Sequence, residues 1–338
     1  MANLGVNYMG LALKNPIIIG ASNLVQDQAI VNKMIEAGAA AIVYKSLFEE
    51  QIQMERLEMH QILDEYNERH AEMLTSMPNI RHAGPEEHLM MLTKFKKEIS
   101  IPVIGSLNAI YKESWVDFAK RMQDTGIDAL ELNFFSVTRD ASVTSLSIED
   151  EQYDILCSVV KEVKIPVSVK LSPFYANPLS VIIRMVKAGA KGVVLFNRLF
   201  QPDIDIDKKQ HIINFNLSNP DDYKLALRYV GLVYGQISAS ICANSGIYTS
   251  ADVIKMIMAG AGCVQIVSTV YKNQPAIIAG ILNDINAWME AKGYAGMRDI
   301  EGMLSDENIS DPLVYKRAQY VDLLLSKSGE LLNKYKQV

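Results

Sequence analysis

Three segments of the chain repeat one phrase. Met34–Val43 reads MIEAGAAAIV, Met185–Val194 reads MVKAGAKGVV and Met256–Val267 reads MIMAGAGCVQIV. Each closes an apolar, helix-like run on Ala-Gly-Ala and passes directly into a β-rich run. The glycine suits a helix C-cap, and the small residues beside it allow a tight helix-to-strand turn. A chain that makes this junction three times is built from β/α units, and such units impose a parallel sheet.

Eight β-rich runs fit that frame: 16–21, 40–45, 102–108, 127–133, 166–172, 191–197, 238–244 and 263–268. Their near-continuous apolar character is that of strands covered on both faces. Amphipathic helical patterns such as 114–126 and 177–190 separate them. Eight units read as an α/β fold of the TIM type, a closed (β/α)8 barrel. A large doubly wound open sheet is the alternative. The 338 residues are expected to form a single domain, a barrel over about 1–295 followed by a polar, helical C-terminal tail over 296–338. Two insertions exceed the barrel minimum. Residues 46–100 follow strand 2 and carry His60, His70, His82 and His88; residues 198–220 follow strand 6 and read as a hairpin excursion. Both belong at the C-terminal face, where barrels of this kind place their chemistry.

Composition narrows the partners. The net charge is −6 and no basic cluster occurs, so nucleic acid is not an expected partner. No apolar run reaches the roughly 18 residues that span a bilayer. The start, MANLGVNYMG, lacks the charged-then-apolar pattern of a signal peptide. Cys157, Cys242 and Cys263 are far apart in apolar settings, which suits buried thiols in a reducing cytoplasm. The four clustered histidines are spaced by 10, 12 and 6 residues, which fits no metal-ligand pattern, and no metal is expected.

The strand ends carry a consistent set of polar residues. Strand 1 runs into Ala21-Ser22, strand 2 into Lys45-Ser46, strand 3 into Asn108, strand 4 into Asn133, strand 5 carries Lys170, and strand 6 ends in Asn197. Strand 7 runs into Asn244-Ser245-Gly246 and strand 8 into Ser268-Thr269. A polar group in a buried strand costs stability unless it is paired, so a set gathered at one barrel face points to a ligand. Two lysines suit an electron-rich, partly anionic group, and asparagines suit the edge of a heteroaromatic ring. Backbone N–H groups after strands 7 and 8 suit a phosphate. Together they describe flavin mononucleotide (FMN).

Several phrases resemble the dihydroorotate dehydrogenase family across nearly the whole chain: YMGLALKNPIIIGAS, VYKSLFEE, ALELN, VSVKLSP, GVVLFN, ANSGIYTSADVIKMIMAGAGCVQIVSTVY and ILNDINAWMEAKGY. The resemblance implies FMN contacts from Ala21, Ser22, Lys45, Ser46, Asn108, Asn133, Lys170, Ser245, Gly246, Val267 and Ser268. It implies substrate contacts from Lys45, Asn133, Thr138 and Asn197, with Ser136 and Lys45 as catalytic residues. In the family a dihydropyrimidine gives hydride to the flavin while a loop base takes a proton from the neighbouring carbon. That loop reads Asn-x-(Ser/Cys)-(Cys/Ser)-Pro-Asn, and here Asn133-Phe134-Phe135-Ser136-Val137-Thr138 stands in its place. Ser136 falls on the base position; a water chain, Thr138 or a histidine of 46–100 is needed to relay the proton. Val137 and Thr138 replace the family's Pro and Asn, and its substrate loop after strand 2 is not matched by TSMPNIRHAGPEEH, which marks a divergent branch. The absence of a membrane-binding extension resembles the soluble, cytoplasmic class. A homodimer is expected by the same resemblance. So is an electron-transfer partner protein where NAD is the acceptor, because no GxGxxG or paired-cysteine motif gives this chain a second cofactor. Alternatives are an ene-type flavin oxidoreductase with another substrate, a lyase or isomerase using the phosphate site, and a non-catalytic flavin-binding protein.

Overall fold

The computed structural model describes residues 2–50, 52–53, 85–135, 138, 140–198, 201–212, 217–310, 312–315 and 324–325. All eight expected strands form, at Ile17–Ile19, Ala41–Val43, Val103–Asn108, Ala129–Asn133, Val167–Leu171, Gly192–Leu195, Ser240–Asn244 and Cys263–Ile266. They are called barrel strands 1 to 8 in that order. Each is parallel to its neighbours, strand 8 pairs back onto strand 1, and strand 2 pairs with strand 3 through Ile42↔Val103 and Val43↔Ile104. The sheet therefore closes on itself as a (β/α)8 barrel, and the open-sheet alternative is excluded.

The repeated phrase makes one structure three times. Ala39, Ala190 and Ala261 N–H donate to the carbonyls of Met34, Met185 and Met256, five residues back, while Gly38, Gly189 and Gly260 N–H donate three residues back. This is a Schellman cap, with the glycine left-handed at φ 111°, 111° and 122°. The three methionines that open the phrase are fully buried, so each repeat both ends a helix and anchors it on the sheet.

Three features go beyond the expectation. Val6–Tyr8 and Leu11–Leu13 pair as an antiparallel hairpin across Met9 and Gly10, both at positive φ, as a two-residue turn of this hand requires. The hairpin packs Tyr8, Met9 and Leu13 into one cluster with Ile18, Ile104, Cys242 and Cys263 and closes the N-terminal end of the barrel. Leu47–Phe48 adds a short parallel pairing beside Leu107 and Asn108. Residues 296–310, expected as helix, are turns with one short 3-10 helix at Met297–Asp299. The cause is visible in their bonds: Gly302, Leu304 and Asp306 N–H groups cap the carbonyls of Ile257, Met258 and Gly231 at the ends of two barrel helices. Of the rest of the tail, Pro312–Tyr315 forms a 3-10 turn and most residues lie outside the described set. The excursion after strand 6 contains the expected hairpin, Asp203–Asp205 with Gln210–Ile212.

Candidate active site

A cavity of about 470 Å³ opens at the C-terminal ends of the strands. Ten of the eleven residues expected at a flavin reach its wall: Ala21, Ser22, Lys45, Ser46, Asn133, Lys170, Ser245, Gly246, Val267 and Ser268. Asn197 joins them. Asn108 is buried one layer behind, where its Nδ2 donates to the Asn133 carbonyl at 3.0 Å. It holds strand 4 in place and does not itself line the cavity.

The strand geometry explains this convergence. Side chains of a parallel strand alternate between the barrel interior and the helix layer, so one inward residue near each C-terminus reaches the mouth. Asn133 and Lys170 are register partners on strands 4 and 5. Asn197 Nδ2 donates to Asn133 Oδ1 at 2.8 Å, leaving both side chains directed to the same side of the cavity. Ser46 and Ser106 hydroxyls lie 2.6 Å apart, tying strand 2 to strand 3.

The strand 7 and strand 8 side is built by backbone. Ser245 and Gly246 are both left-handed, at φ 74° and 70°. A Cβ on Gly246 would stand 2.3 Å from the Tyr223 backbone nitrogen, so only glycine fits the close approach of the helix Tyr223–Val233. Ser268 Oγ accepts from the Ser218 N–H at 2.9 Å and lies 2.8 Å from the Ser218 hydroxyl. Lys272 Nζ and the Tyr248 hydroxyl both donate to the Ser218 carbonyl. The excursion after strand 6 is thereby pinned over strand 8, and Ser218 and Leu217 join the wall.

Four further polar residues of the site lie where the strand ends give no signal. Gln265 and Glu131 lie inside strands 8 and 4, and both are 1% exposed. Gln265 Nε2 donates to Glu131 Oε2 at 2.5 Å, and Lys170 Nζ donates to Gln265 Oε1 at 3.1 Å. A charged residue in ALELN and an amide in CVQIV were the available signals, because a buried strand tolerates them only when they are paired. Ser218 and Arg198 lie in the excursion, where no periodicity marks them. Arg198 lines the cavity and pairs with Asp222.

The substrate-side residues are placed less uniformly. Ser136, the expected base, lies outside the described residues, as does Val137. Thr138 is exposed and not part of the wall; its hydroxyl accepts from the Asp140 N–H at 3.2 Å in a local turn. His60, His70 and His82 also lie outside the described residues. His88 is described, on the helix Pro85–Glu98, edge-on to Tyr44. Burial, and then the Lys45 ammonium, push its imidazole down to about 4. It is a neutral packed side chain at pH 7 and does not line the cavity. Among the described residues no three His, Cys, Asp or Glu side chains form a metal cluster, and no helix is long and apolar enough to cross a membrane.

Known proteins resemble this chain over most of its length. The family model for dihydroorotate dehydrogenase matches residues 3–289. A Thermoplasma acidophilum protein named dihydroorotate dehydrogenase B (NAD(+)), catalytic subunit, is 29% identical over 317 residues, covering 90% of this chain and 99% of its own. A protein of the same name from Methanocaldococcus jannaschii is 27% identical, covering 89% and 97%. An Aeropyrum pernix protein provisionally named dihydroorotate dehydrogenase A (fumarate) is 25% identical, covering 88% and 96%. The match spans every barrel strand and the whole cavity wall: the chain belongs to the dihydroorotate dehydrogenase family and is an oxidoreductase of that kind.

Proposed function

We propose that the cavity binds FMN and that the protein oxidises dihydroorotate, or a close dihydropyrimidine, across a CH–CH bond. The observation that carries this is the convergence of two lysines, the Asn133–Asn197 pair and the Ser245-Gly246 and Val267-Ser268 backbones on one cavity. The residues fit the group. The volume lies within the range of small-ligand sites, the lysines match an electron-rich ring, and the Ser245-Gly246 and Val267-Ser268 backbones on the cavity wall suit a phosphate. Bound there, the flavin supplies a hydride acceptor.

The chain's own residues do the rest. Lys170 and Asn133 would hold the edge of the ring, and Lys45, on the same wall, would serve both flavin and substrate. Asn133 and Asn197, whose amides are mutually oriented, present their remaining donors and acceptors to the substrate ring. Ser136 takes the proton from the carbon next to the hydride donor. A serine hydroxyl is a weak base, so it acts through a relay to solvent. The account extends to one barrel domain, a cytoplasmic location, a homodimer and, for an NAD-linked reaction, a partner subunit. The relatives' two names cover two electron acceptors, so the acceptor is assigned by assay.

The test is an anaerobic spectrum. The purified protein should be yellow and should bleach on addition of dihydroorotate, and Ser136→Ala should slow the bleaching by about 10²–10⁴-fold, the ordinary worth of a general base. A yellow protein that does not bleach keeps the cofactor and excludes this substrate. A colourless protein that takes up no FMN leaves the phosphate-site lyase or isomerase.

A further inference from the structure

Beneath the cavity lies a carboxylate with no route to solvent. Glu131 stands two residues deeper on strand 4 than Asn133 and is 1% exposed. Its Oε2 accepts from Gln265 Nε2 at 2.5 Å. Its Oε1 lies 3.8 Å from Lys170 Nζ and has no hydrogen-bond partner among the described residues. Lys170, 6% exposed, donates to Gln265 Oε1 at 3.1 Å. Strands 4, 5 and 8 each contribute one of the three residues, so the network crosses the barrel interior. Lys170 and Gln265 line the cavity, whereas Glu131 does not. A carboxamide between a carboxylate and an ammonium has one favourable orientation: its NH2 faces the carboxylate and its oxygen faces the ammonium.

A buried carboxylate is expensive even when paired, and well-packed apolar residues often replace such pairs without loss. Stability alone does not call for Glu131. We propose that Glu131 and Gln265 are positioning residues for Lys170: together they hold its ammonium at the cavity floor and partly balance its charge, setting how readily a bound flavin accepts electrons. The inference rests on the flavin reading of the site. It follows from simple electrostatics: a cation beside a ring system favours the form of that ring with more negative charge, and a counter-charge behind the cation weakens the effect.

The experiment measures the reduction potential of FMN bound to the full-length protein, by equilibration with reference dyes. In Glu131→Gln the carboxamide oxygen still accepts from Gln265, but the counter-charge is gone. The potential is expected to move positive of wild type. In the double variant E131Q/K170Q both charges are removed, and the potential is expected to move negative of wild type, because the nearer charge is lost along with the farther one. The double variant carries no unpaired buried charge, so it remains informative if Glu131→Gln alone does not fold. A Glu131→Gln protein that binds FMN at an unchanged or more negative potential overturns the proposal. So does a double variant at or above the wild-type potential. A loss of thermal stability with no shift of potential marks a structural role and also overturns it. Failure of the wild-type chain to take up FMN is a separate result, read before any variant is made, and it removes the flavin reading itself.

Discussion

The two ends of the barrel are finished by opposite means. At the N-terminal end a hairpin presses Tyr8, Met9 and Leu13 against Ile18, Ile104 and the two buried cysteines, and the plug is apolar. At the C-terminal end the same strands finish in lysine, asparagine, serine and glycine around an open cavity. On strand 7, Cys242 belongs to the plug while Asn244, two residues on, lines the cavity. The contrast separates two kinds of dependence along one axis. Side chains in the plug determine whether the barrel folds, and those at the mouth determine what it binds.

Removing the plug should have the largest effect. Tyr8→Ala deletes a fully buried aromatic ring and should cost about 3–5 kcal/mol in urea unfolding. The FMN affinity of the folded protein should stay within about twofold of wild type. If affinity falls in step with stability, the two ends are not independent.

His88 gives the next effect, through pH. The folded imidazole is held down near 4 against an ordinary 6.5, so between those values the unfolded chain binds more protons than the folded one. Stability from this group is complete above pH 6.5 and is lost as pH falls toward 4, by about 3 kcal/mol. Urea unfolding at pH 7 and pH 4.5 should therefore show a smaller loss in His88→Phe than in wild type. Equal losses would contradict the assigned burial.

The cap glycines should give a smaller penalty. Gly189→Ala places a Cβ 2.9 Å from Val160 Cγ1 at φ 111° and should cost about 1–2 kcal/mol. Gly280→Ala, inside the helix Ile277–Lys292 with nothing within 4 Å of its Cβ, should instead gain about 0.5–1 kcal/mol. A like sign for both would break the link between the repeat and its left-handed cap. At the mouth, Ser218→Ala should weaken FMN binding about fivefold, near 1 kcal/mol, and leave the unfolding midpoint in place. A fall in the midpoint with unchanged binding would return Ser218 to the scaffold.

How much of this was legible follows from where each signal lies. The eight strands could be read because strands covered on both faces are continuous apolar runs, and the Met-x-x-Ala-Gly-Ala phrase marks the entry to three of them. The N-terminal hairpin could not, because two three-residue strands carry too little pattern and the turn uses Met9 at positive φ rather than a turn-forming residue. The cavity wall was legible at the strand ends. Its floor was hidden because Glu131 and Gln265 look like ordinary interruptions of a strand until their partners, 134 and 39 residues apart in sequence, are brought together. Ser218 was hidden because the excursion that carries it has no period, and its position depends on long-range bonds to Ser268, Tyr248 and Lys272.

The measurement that tests the central claim most directly is an equilibrium titration of the flavin-free protein with FMN, followed by flavin fluorescence. Stoichiometric uptake, with weaker binding in Ser218→Ala and unchanged binding in the folded Tyr8→Ala protein, is the predicted result. No uptake of FMN by a folded wild-type chain would contradict it.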